Sequence, residues 1–171
     1  MASISRTLQI TVISAEDLSR HRKSLKKNSF ATVRIDSQNI GSTLIDGEGG
    51  SYPFWNHKIE FNLPSNVSFI TVDVHCGNFS RNKIVGTTRV PVSDFLGGSL
   101  PETYLHILSY RLRDVRGNRN GIVNISVRVT APDVVESTPR TAKLQAPSEK
   151  INFGTGAGVA VGIPFWSGSG I

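Results

Sequence analysis

The stretch His75 to Gly86, HCGNFSRNKIVG, has the outline of a loop between two strands that would hold a divalent cation. Yet no acidic residue occurs anywhere from 74 to 92. Calcium takes about six to eight hard oxygen ligands at about 2.3–2.6 Å, and carboxylates must balance its charge. A second stretch, SRHRKSLKKNS, carries Arg20, Arg22, Lys23, Lys26 and Lys27, again without an acid. Arg81 and Lys83 add two more cations in the first stretch. Such loops attract anions rather than cations.

Other chemistries find little support. The four histidines, His21, His57, His75 and His106, are scattered, and none makes a zinc spacing with Cys76. His75 and Cys76 are adjacent on a strand and point to opposite faces, so they form a poor ligand or nucleophile–base pair. No nucleophile elbow is present. GTGAGVAVG near the end lacks both the preceding strand and the Gly-Lys-Ser/Thr of a phosphate loop. The reading is a non-enzymatic chain with no cofactor and no metal. Nucleic acid is an improbable partner, because no aromatic platform interleaves with the basic loops.

The elements that must position these loops are strands. TLQITVIS alternates Leu8, Ile10 and Val12 with Gln9 and Thr11, and HKIEFNL alternates Ile59, Phe61 and Leu63 with polar neighbours. FATVRID, FITVDVHC, IVGTTRVPV and GIVNISVRV are β-branched or aromatic runs, and weaker strands fit 40–45 and 103–108. Turn-rich pieces such as DGEGGSYP, LGGSLPE and RGNRNG separate them. About eight short strands at this spacing predict an all-β, eight-stranded antiparallel sandwich. A short helical turn is expected near Val92–Leu96, with Ser93 as its cap.

Charge and texture divide the chain. Residues 1–130 hold 16 Lys/Arg and 10 Asp/Glu, while residues 131–171 hold three of each, so the net charge of +6 belongs to the first part. An anionic partner is therefore expected there. No apolar run reaches the ~18–20 residues of a membrane span, so membrane contact would be peripheral. No secretory signal, myristoylation site or prenylation box is evident, and one cysteine permits no internal disulfide. A reducing, cytoplasmic location is expected, which makes the sequons at Asn66, Asn78 and Asn124 chance matches. The division drawn is a domain over 5–130 and a tail over 131–171. TAPDVVESTPRTAKLQAPSEK is polar and proline-bearing, which predicts a mostly disordered segment. GTGAGVAVGIPFW is either part of that tail or a partner-binding peptide anchored by Phe165 and Trp166.

Four segments in order resemble the C2 domain. LQITVISAEDL resembles its opening strand, and NSFATVRI its Asp-Pro-Tyr-Val strand. YPFWNHKIEF resembles its Asn-Pro-x-Trp-Asn-Glu segment, and IVGTTRVPVSDF the strand after its third loop. Opening on the strand that feeds the first loop implies the circularly permuted, type II topology. A narrower resemblance, through GGSYPFWNHKIEF, LSYRLRDVRGNRNGIVNISV and GVAVGIPFW, is to the small plant BONZAI-associated C2 proteins. It implies association with a copine-like C2 protein at the plasma membrane, and restraint of plant defence and programmed cell death.

The resemblance also assigns calcium-ligand positions, which fall here on Arg22, Asn28, His75, Gly77 and Lys83. Only Asn28 offers a side-chain oxygen, so calcium binding is not expected. The first and third loops of a C2 sandwich are neighbours, so their cations would converge. The expected membrane-binding set is Arg20, Arg22, Lys23, Lys26, Lys27, Arg81 and Lys83, with Leu25 and Phe79 inserting from the loop tips. Each cation near an anionic leaflet is worth about 1 kcal/mol, so half of them give about 3–4 kcal/mol. The plainer reading of the basic run is a solvated face, and Phe79 could instead pack on the sandwich end. A further basic stretch, Arg111, Arg113, Arg116 and Arg119 around Asp114, reads as a solvated turn.

Overall fold

The computed structural model describes residues 5 to 131. Eight main strands are β1 (Arg6–Glu16), β4 (Ser29–Arg34), β5 (Ile40–Ser42), β6 (Phe54–Leu63), β7 (Phe69–Asn78), β8 (Arg81–Pro91), β9 (His106–Arg113) and β10 (Arg119–Thr130). A two-residue pair, β2 (Ser19–Arg20) and β3 (Lys23–Ser24), lies within the first loop. The ladder order is β5-β4-β7-β8-β9-β10-β1-β6. All of its pairings are antiparallel, and β8 and β9 are joined only through Thr87 and Arg113. The ladder therefore folds there into two four-stranded halves. The first and last strands, β1 and β10, are neighbours.

Alternation decides which faces meet. Leu8, Ile10 and Val12 of β1 are fully buried, as are Val123, Ile125 and Val127 of β10 and Ile70, Val72 and Val74 of β7. Side chains from both halves form one apolar core, which is how a two-layer fold covers each sheet's inner face. A register shift between Val12 and Ser14 changes the phase of β1, so Ala15 is buried rather than Ser14. The strand expected at 103–108 runs instead over His106–Arg113, because Leu112 is buried in the core and carries the strand two residues beyond Tyr110. The helical turn is a 3₁₀ segment over Val92–Asp94. Pro91 rather than Ser93 occupies its cap position, without a side-chain cap bond, since the extended chain of β8 runs directly into it.

Candidate functional site

Strand register fixes which loops share an end. Glu16 lies opposite Ile122, Ser14 opposite Phe54, Ser29 opposite Cys76 and Asn78 opposite Arg81. Residues 17–28, 43–53, 79–80 and 114–118 therefore sit together at one pole. The loops 17–28 and 79–80 are the two expected to converge. The fourth brings the second basic stretch to the same pole, which the linear sequence does not reveal.

The first loop is a short ribbon standing on two buried leucines. Leu18 is 1% exposed and Leu25 7%. Between them Arg20 pairs with Lys23, leaving His21 and Arg22 as a two-residue turn with φ of 53° and 61°. Both central residues of such a hairpin turn need positive φ, which Asn-Gly supplies without strain and His-Arg does not. Surrounding bonds hold the turn in place. Ser51 Oγ donates to the Leu18 carbonyl at 2.6 Å and accepts the Leu25 N–H at 2.8 Å. Gly50, with φ +55°, passes the Leu25 carbonyl so closely that a Cβ would stand 2.6 Å from it. Asn120 accepts the Ser19 N–H at 2.9 Å, donates to the Ser19 carbonyl at 2.8 Å and also donates to Val85 O.

This corrects one expectation. Leu25 is not an inserting loop tip; it belongs to the core. The physical reason is spacing: two leucines seven residues apart bracket a hairpin whose own exposed residues are all polar. Burying Leu25 is what turns Arg22, Lys23, Lys26 and Lys27 outward, all exposed, with Arg20 half-buried.

The third loop docks against the end of the first. Gly77, with φ +118°, donates its N–H to the Asn28 carbonyl at 2.8 Å, and Asn28 Nδ2 donates to Asn78 Oδ1 at 2.8 Å. The His75 ring stacks on Phe30, with centroids 4.7 Å apart and 5° between planes. Its Nε2 lies 3.0 Å from Thr32 Oγ1 and its Nδ1 2.9 Å from Asn82 Oδ1. Burial lowers the His75 pKa, outweighing the opposing pull of Asn82 and Asp73, so the ring is neutral in its stack. Phe79 packs on the sandwich end, the plainer of the two expectations. One face packs on Phe30 at 4.6 Å, while 57% of the residue stays exposed.

Four of the five ligand positions thus have defined contacts or surroundings: Arg22 in the turn, Asn28 and Gly77 bonded to each other's loops, and His75 stacked. Lys83 is exposed on β8 beside Cys76. Asp46 is tied to the start of β4, where its backbone pairs with Ser29. Both of its oxygens are engaged. Oδ1 accepts the N–H groups of Glu48 and Gly49 at 2.8 and 2.9 Å, and Oδ2 accepts that of Phe54 at 2.8 Å. Burial raises the Asp46 pKa, but these three donors outweigh it and hold the carboxyl below its ordinary value of 3.8. Among the described residues no group of three or more His, Cys, Asp or Glu gathers as a metal site.

No ion pair among the described residues involves Arg20, Arg22, Lys23, Lys26, Lys27, Arg81 or Lys83. Sequence reasoning missed Tyr52 and Val115, apolar side chains at the same pole that are 64% and 85% exposed. The signal was present in each as a large apolar residue inside a turn-rich piece. Phe165 and Trp166 lie outside the described residues. No helix of the described residues is long and apolar enough to cross a membrane.

This fold, with its loop pole, is that of a C2 domain, and the C2 domain family matches residues 6–107. The chain belongs to that family. It is 44% identical over 132 residues to BON1-associated protein 2 of Arabidopsis thaliana, covering 75% of this chain and 63% of that protein. It is 22% identical to Protein SRC2 of Glycine max over 149 residues, covering 81% of this chain and 51% of that one. The chain thus spans about half to two thirds of these relatives' length. Among solved structures, the C2A domain of plant Extended Synaptotagmin 1 superposes with a TM-score of 0.62 at 11% identity, covering 76% of this chain and 98% of that one. Human GIVD cytosolic phospholipase A2 gives 0.61 at 14% identity over 78% of this chain and 17% of that one. At such identities the likeness is one of fold.

Proposed function

We propose that this C2 domain is a non-enzymatic peripheral module that docks on anionic phospholipid without calcium. The observation that carries the reading is the loop pole: cations stand at two of the five positions where the family resemblance assigns calcium ligands, Arg22 and Lys83, and no described carboxylate forms an ion pair with the basic loop residues. In a calcium-loaded pole the metal supplies positive charge; here Arg20, Arg22, Lys23, Lys26, Lys27, Arg81 and Lys83 supply it permanently. At about 1 kcal/mol per engaged cation the contact is weak and salt-sensitive, so a second contact is needed. Phe79 offers one by inserting its exposed edge at the interface. The proposed location is cytoplasmic, at the inner face of the plasma membrane.

A protein partner belongs to the same proposal. Likeness to BON1-associated protein 2 supports a copine-like C2 protein as that partner, with a role in restraining plant defence and cell death. Phe165 and Trp166 are the proposed partner-binding residues. The alternative is an adaptor that binds its partner without touching lipid. Co-sedimentation with anionic and neutral vesicles in chelator separates the two, using wild type and a Lys23→Ala, Lys26→Ala, Lys27→Ala variant. Docking predicts anionic-vesicle binding by wild type and its loss in the variant. Absence of wild-type binding, with partner capture retained, would favour the adaptor.

A further inference from the structure

Arginine rather than lysine collects on the ribbon of β9 and β10. Arg111 and Arg113 lie on β9, Arg116 in the turn and Arg119 at the start of β10, and all four are exposed. Period-two alternation puts Arg111 and Arg113 on the face opposite the buried Leu112. Arg119 is the direct cross-strand partner of Arg113. Directly opposed residues share a face with their Cβ atoms about 5 Å apart, and like charges there destabilise the pair.

Relief of this repulsion within the ribbon is partial: Asp114 acts electrostatically on Arg116 without forming an ion pair. The turn's acid, Asp114, spends Oδ1 on the N–H groups of Arg116 and Asn118, both at 2.9 Å, and Oδ2 on Asn118 Nδ2 at 3.3 Å. Arg113 donates one guanidinium N–H to the Gly117 carbonyl at 2.9 Å. No ion pair among the described residues includes any of the four arginines.

The ribbon is clamped to the basic pole. Arg113 pairs with Thr87, and Asn120, next to Arg119, bonds to both Ser19 and Val85. The buried Asn120 therefore ties the arginine ribbon to the strand that carries Lys83 and to the hairpin that begins at Ser19. The two cation sets differ in kind. A lysine ammonium is a compact point charge, whereas a guanidinium is a planar fork that grips two oxygens of one anion. Two such forks on one face match a group with three free oxygens and nearly two charges, as a phosphomonoester has. A phosphodiester offers two oxygens and one charge.

Building on the membrane reading, we infer that the Arg111–Arg113–Arg119 face is a second anion-binding subsite of this pole. It selects lipid headgroups that end in a phosphomonoester over those whose phosphate is a diester. The lysine-rich first loop then senses surface charge, and the ribbon reads headgroup chemistry.

The test uses the full chain and two vesicle sets matched in zeta potential. One contains phosphatidic acid and the other phosphatidylserine. A preference for phosphatidic acid of about tenfold is expected, the worth of one charge-assisted hydrogen bond. An Arg111→Lys, Arg113→Lys, Arg119→Lys variant keeps the charge and removes the forks, so it should bind both sets as wild type binds phosphatidylserine. The Lys23→Ala, Lys26→Ala, Lys27→Ala variant should lose affinity for both sets in parallel. Equal wild-type binding to the two sets, or a preference that survives Arg→Lys exchange, would overturn the subsite while leaving membrane docking intact. Binding to neither set would overturn the membrane reading and this one with it. Melting curves show whether the variants fold, and relief of the like-charge pair predicts that an Arg119→Gln variant melts no lower than wild type.

Discussion

Replacing Leu25 with alanine separates an anchor from an inserting tip. Leu25 is 7% exposed and shares the core with Leu18, so truncation removes about three buried carbons. At about 0.8 kcal/mol per buried methylene the transfer loss is about 2.4 kcal/mol. Incomplete collapse of the vacated space raises it to about 2.5–4 kcal/mol. Against a domain stability of about 5–15 kcal/mol this is a large fraction, readable as a lower urea midpoint with an unchanged slope. Phe79→Ala is the contrasting variant. Phe79 is 57% exposed, so its loss should cost under about 1 kcal/mol of stability while reducing vesicle affinity. The anchor assignment fails if Leu25→Ala leaves the urea midpoint within error of wild type yet weakens vesicle binding as Phe79→Ala does.

Other perturbations probe the scaffold of the pole. Asn120→Ala leaves the Ser19 backbone and the Val85 carbonyl short of a partner, so a loss of about 1–3 kcal/mol is expected, with faster amide exchange at residues 19–24. The Asp46 carboxyl has its pKa lowered on folding, so its stabilisation is complete above about pH 4 and is lost as pH falls through the folded value. Asp46→Asn should flatten that acid limb in pH-dependent melts and reduce stability near neutrality. The His75 pKa is also lowered, which for a base means that the unfolded chain takes up the proton first. Stability should be full above about pH 6.5 and decline below it until the folded value is reached. A His75 ring titration by NMR at or above 6.5 would contradict the buried, neutral stack.

The strands were legible because alternation survives folding: Leu8, Ile10 and Val12 are read as one face from the sequence and are one face in the structure. The convergence of the first and third loops followed from the family resemblance, and Asn28, Gly77 and Asn78 make the actual contact. Leu25 was misread because periodicity fails inside an eleven-residue loop, where a lone apolar residue is equally a tip or a foot. Its burial depends on Ser51, 26 positions away. Arg111 to Arg119 were assigned to a solvated turn because only long-range pairing places them beside β8. The sequence separation between Ser19 and Asn120 is 101 residues, beyond the reach of any local pattern.

The most direct test of the account is a vesicle titration of the intact chain, with and without calcium, over a range of salt. Permanent positive charge predicts affinity for anionic vesicles that is the same in chelator and in millimolar calcium, and that falls steadily as salt rises. Binding that appears only when calcium is added would contradict it, because the cations at Arg22 and Lys83 would then not be standing in for the metal.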